Sequence, residues 1–79
     1  NFKIGDTVSY KPDRWQYSLI PEPISEILAN SEYRISGEII GFDGKRSVWV
    51  KSDKCIDPFD KHPLPISINV SLLKKPVQA

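Results

Sequence analysis

One thiol and one imidazole, Cys55 and His62, lie seven positions apart in a segment that also holds Pro58, Pro63 and Pro65. A cysteine beside a histidine base is the minimum for an activated nucleophile. No nucleophile-elbow motif surrounds Cys55, and a proline-broken loop gives an imidazole little to orient it. A solvated His62 and a part-buried Cys55 is the preferred reading, so no catalytic residue is expected. Adding Asp57 and Asp60 to the pair gives four metal-ligating types, but their spacing matches neither a dedicated zinc motif nor an EF-hand loop. No metal and no other cofactor is expected. Asp57 and Asp60 suit turn initiation instead, because a short carboxylate accepts local backbone N–H groups. Gly37, Gly41 and Gly44 form no phosphate-cradling loop and read as strand and turn glycines marking close approach or curvature. The sequon Asn69-Val-Ser71 falls inside a predicted strand and is read as chance.

Two constellations stand above this background. Lys45, Arg46, Lys51 and Lys54 surround Trp49, and basic side chains around an aromatic face are what single-stranded nucleic acid binders use. Asp43, Glu38 and Asp53 lie close by and offset that field. The second constellation is aromatic: Tyr10, Arg14, Trp15 and Tyr17, joined by Trp49 and Lys51. Trp, Tyr and Arg are enriched at the energetic centres of protein interfaces. The plain alternative is that so small a domain uses its rings to complete its core.

These residues need a scaffold, and composition narrows the choice. The chain has 79 residues, enough for one domain spanning 1–79. Eleven Lys and Arg against ten Asp and Glu leave a net charge of +1, which excludes a polybasic tail or an acidic disordered segment. No apolar run is long enough to span a membrane. Ten Ile and five Val against five Leu, two Ala and no Met favour pleated surfaces over helices. Asn1 stands where an initiator Met would, suggesting a processed chain or an excised piece. The lone cysteine points to a reducing compartment, cytoplasmic or organellar if a transit peptide has been removed.

The elements follow from local pattern. Gly5-Asp6 turns the chain into a strand on which Val8 and Tyr10 share a face, ended by Pro12. Residues 11–33 form a long excursion. Within it Pro23, then Ile24, Ile27 and Leu28 at helical spacing, then Asn30, predict a helix of two turns at most. Asp43-Gly44 predicts a two-residue hairpin turn, making Phe42 and Lys45 cross-strand neighbours. That register puts Ile35, Ile39, Val48 and Val50 inward and Ile40, Phe42, Lys45 and Trp49 outward. The 53–65 loop is expected to pack Ile56, Phe59 and Leu64. Ile66–Val70 alternates as a strand, Ser71–Lys74 reads as one 3₁₀ turn, and a brief last strand precedes Pro76 and a loose end at 76–79.

Lys3-Ile-Gly-Asp-Thr-Val-Ser-Tyr10 resembles the opening strand of SH3-like barrels. The Gly37–Phe42 to Val48–Val50 hairpin and the single turn before the last strand are similar to the rest of their plan. The resemblance runs through most of the chain in order and spacing, and implies an all-β, five-stranded SH3-like barrel with a short helix in its long first loop. It implies a binding module, with the first loop and the hairpin flanking a ligand groove. The motifs of polyproline-binding signalling domains are absent. The expected function is a non-catalytic interaction or accessory module docking a protein partner through Tyr10, Arg14, Trp15, Tyr17, Trp49 and Lys51. The alternative is a nucleic-acid-binding barrel using Lys45, Arg46, Trp49, Lys51 and Lys54.

Overall fold

The computed structural model describes residues 2–75. Four strands, β1 (Thr7–Tyr10), β2 (Ile35–Asp43), β3 (Ser47–Lys51) and β4 (Ile66–Asn69), form one antiparallel sheet in the order β1-β2-β3-β4. A 3₁₀ turn (Arg14–Leu19) and a six-residue helix α1 (Ile24–Ala29) lie between β1 and β2, and a second 3₁₀ turn (Val70–Leu72) follows β4.

The closed five-stranded barrel is corrected to an open four-stranded sheet. The expected last strand is reduced to one bridge between Ser9 and Lys74, which follows the second 3₁₀ turn and is the one point at which the described residues of that segment pair with β1. The loose end expected at 76–79 lies outside the described residues.

One face of the sheet carries the core. Val8, Tyr10, Ile35, Ile39, Val48, Val50, Ile66 and Ile68 are buried, together with Ile20, Ile27, Cys55 and Leu73 from the connections. Alternation places these residues on one side, and the transfer of branched side chains from water holds the sheet to its covering segments.

The hairpin turn also differs from expectation. Asp43 pairs with Ser47, leaving Gly44, Lys45 and Arg46 as a three-residue loop, so Phe42 faces Val48 and Lys45 is not its neighbour. Ile39, Val48 and Val50 nevertheless stay inward, because a bulge between Ile39 and Gly41 absorbs one residue and restores the phase. Gly37 marks a close approach: a Cβ there would meet Lys51 O and Val50 Cγ1, each at 2.7 Å.

Helix α1 begins after Pro23 and ends at Asn30, as the pattern predicts. Of its apolar stripe only Ile27 is buried; Ile24 and Leu28 stay exposed. In the 53–65 loop Ile56 and Leu64 are half-buried, whereas Phe59 is 91% exposed. Asp57 Oδ1 accepts from the N–H groups of Phe59 (2.7 Å) and Asp60 (3.1 Å), forming the local turn that carries Phe59 away from the core.

Candidate functional site

The outward side of the sheet holds the exposed aromatic most firmly positioned by regular structure. Trp49, in the middle of β3, lies opposite Gly41 on β2 and Ser67 on β4. Its Cδ1 comes within 3.8 Å of where a Cβ would stand on Gly41, so the indole lies against a strand segment without a side chain. Ile40, displaced by the bulge, is 39% exposed, as is Trp49 itself.

Polar groups surround this apolar centre. Asp43 accepts from the Ser67 hydroxyl at 2.6 Å across the β2–β4 span. Glu38 lies opposite Lys51. At the inner end of β3, buried Ser52 donates its hydroxyl to Ser36 O at 2.6 Å and accepts from Lys54 N–H at 3.2 Å. That clasp fixes where β3 leaves the sheet and thus where Lys51 stands.

The aromatic constellation is dispersed. Tyr10 is 1% exposed and forms part of the core, so its ring is corrected from a contact residue to a packing residue. Its hydroxyl lies 3.5 Å from Cys55 Sγ. Arg14 and Trp15 are exposed on the first 3₁₀ turn, and Tyr17 is half-buried against the core. The registers put Tyr10 opposite Ile35 and Trp49 opposite Gly41, six positions further along β2, or about 20 Å of strand. The loop side chains therefore leave the sheet from the end away from the hairpin tip.

The basic constellation is divided as well. Lys45 and Arg46 are exposed in the hairpin loop and Lys51 near the other end of β3. Lys54 pairs with Glu22 at 2.9 Å, and its ammonium holds that carboxylate below its ordinary range.

Cys55 is fully buried, and desolvation raises its thiol above the ordinary value. His62 is exposed, and its carbonyl accepts the Asp57 N–H at 2.8 Å. The two backbone donors on Asp57 hold its carboxylate low. Among the described residues no three His, Cys, Asp or Glu side chains cluster as metal ligands. Asn69 Oδ1 is occupied locally, accepting from Ser71 N–H at 2.9 Å.

Sequence reasoning picked out Trp49 and Lys51 and set Asp43 close to them, but missed Ser67 as a neighbour. The alternation in Ile66-Ser-Ile-Asn69 already sets Ser67 outward; only the strand order brings it beside Trp49. Compared with protein-family models, curated proteins and solved structures, the chain matches none. No helix of the described residues is long and apolar enough to cross a membrane.

Proposed function

We propose that the chain is a non-catalytic docking module that binds a protein partner on the outward sheet face around Trp49. The observation that carries this reading is a half-exposed indole and Ile40 on rigid β structure, set inside a polar rim of Glu38, Lys51, Asp43 and Ser67. An aromatic anchor with a polar surround is the usual composition of an interface centre. The rim carries both signs, which suits a partner presenting an apolar side chain flanked by uncharged or mixed polar groups. Arg14 and Trp15 form a separate exposed patch. A reducing setting, the cytoplasm or an organellar stroma or matrix, suits the single buried thiol.

A polyanion is the weaker reading. Asp43 and Glu38 stand beside Trp49, and Lys54 is committed to Glu22.

The test uses the chain as bait in its wild-type, Trp49→Ala and Trp15→Ala forms. A partner retained by wild type and Trp15→Ala but at least about tenfold depleted with Trp49→Ala supports the reading, since a central aromatic truncation costs about 2 kcal/mol or more. Equal recovery by all three baits overturns it. Tight oligonucleotide binding that weakens by about 0.7–0.9 log units per phosphate contact for each decade of salt would move the function to nucleic acid.

A further inference from the structure

The two edges of the open sheet are treated differently. On β1, Ser9 points its backbone groups away from β2, and Lys74 takes both: Ser9 N–H donates to Lys74 O at 2.7 Å, and Ser9 O accepts from Lys74 N–H at 2.9 Å. On β4, Val70 N–H donates to Arg46 O at 2.8 Å, which fixes the phase of the ladder. Alternation then turns Ile68 and Ile66 toward β3 and Ser67 and Asn69 toward the open side. Among the described residues no segment pairs with that side of β4.

We propose that β4 is a self-association edge, on which a second copy of this chain pairs antiparallel about a two-fold axis at Ser67. The donors and acceptors select this occupant and this register. Pro65 offers a carbonyl and has no N–H. Ser67 offers both groups. Asn69 offers its N–H, while its carbonyl, at the cap of the second 3₁₀ turn, is directed into that turn. The pattern is its own complement under two-fold rotation. Ser67 exchanges two hydrogen bonds with its copy, and each Asn69 N–H meets the other chain's Pro65 carbonyl. Sliding the pairing one way aims Ser67 N–H at the Asn69 carbonyl, where the strand gives way to the 3₁₀ turn; sliding it the other way aims the Ser67 carbonyl at a proline.

No charged side chain on β4 discourages the pairing. Ile66-Ser-Ile-Asn69 carries no charge, although charged side chains are a common guard on strand edges, and a net charge of +1 gives two copies little repulsion. Pairing joins the two sheets into one of eight strands. Both Trp49 side chains then lie on the same outward face, three strand spacings or about 14 Å apart.

The experiment is sedimentation across a wide concentration range for wild type, Ser67→Ala and Ser67→Pro. Proline at 67 removes an N–H that β3 does not use, so the intrachain ladder survives, whereas alanine removes only the hydroxyl bonded to Asp43. Wild type and Ser67→Ala are expected to dimerise with rising concentration, and Ser67→Pro to stay monomeric with an unchanged circular dichroism spectrum. A monomeric wild type up to about millimolar concentration, or a dimeric Ser67→Pro, overturns the proposal. Should Ser67→Pro fail to fold, Ser67→Cys decides. The paired Cα atoms would stand about 5.5 Å apart, within disulfide range, so mild oxidation is expected to yield a covalent dimer that wild type does not form. Absence of that dimer overturns the proposal. Trp49→Ala should leave dimerisation intact, which separates this edge from the docking face.

Discussion

The sheet and the connection at residues 11–34 divide the work of this small domain unequally. Strands β1–β4 supply eight of the buried apolar residues, while the longer connection supplies only Ile20 and Ile27, with buried Gln16 and Pro12. The connection also leaves Trp15, Ile24 and Leu28 more than half exposed. Its helix α1, at six residues, is too short to stand alone and is held by the burial of Ile27. The sheet is where stability resides, and the connection lies over it with apolar surface to spare.

The largest effect that can break this comparison comes from the sheet centre. Ile39 is fully buried, and its N–H and carbonyl bind Asp6 O and Gly5 N–H at 3.0 and 2.8 Å. Ile39→Ala is expected to lower the free energy of unfolding by about 2–5 kcal/mol, a large share of what a domain this size possesses. Denaturant titration followed by circular dichroism measures it. A loss below about 1 kcal/mol would mean that the covering segments, not the sheet, carry the core.

A middle-sized effect lies where sheet and loop meet. The hydroxyl of Tyr10 on β1 and the thiol of Cys55 in the 53–65 loop are packed together out of water. Burial raises the thiol above its ordinary 9.0, and burial with the Cys55 contact raises the phenol above its ordinary 10.0. Both groups are neutral in the folded protein and lose their protons more easily when unfolded. Their contribution to stability is complete below about pH 9 and falls as pH rises toward the raised folded values. The decline is at most about 1.4 kcal/mol per pH unit for each proton released on unfolding. Denaturant midpoints taken at about pH 8 and about pH 10.5 test this, and Tyr10→Phe should show a shallower decline because one titrating group is gone. An identical decline in both proteins would place the alkaline weakness elsewhere.

The same division explains what the residues disclosed in advance. Alternation put Val8 and Tyr10 on one shared face, set Ile35, Ile39, Val48 and Val50 inward and marked 66–70 as a strand, because each strand must bury one side. The hairpin loop length was not legible. Asp43-Gly44 favours a two-residue turn, and the bulge at Ile40 that lets a three-residue loop keep the same inward set has no periodic signature. The first 3₁₀ turn, Arg14–Leu19, was equally silent, since six residues give neither a period of two nor one of 3.6. The resemblance to a barrel supplied a fifth strand of which the described residues keep a single bridge, Ser9 to Lys74. Trp49 and Lys51 were legible as outward residues. Their separation from Arg14 and Trp15 was not, because it depends on how far along β2 each neighbour pairs.

The smallest effect sharpens the comparison from the other side. Leu28 follows buried Ile27 directly and shares its helical neighbourhood, yet it is 59% exposed. Serine in its place forfeits little transfer energy, because most of the leucine surface already meets water, and it lowers helix propensity by only a few tenths of a kcal/mol. Leu28→Ser is therefore expected to shift stability by less than about 0.5 kcal/mol. A thermal melt compared with wild type gives the answer. A loss of several kcal/mol would mean that Leu28 is covered in solution by something other than the residues described, and the connection would then rank with the sheet as a structural element.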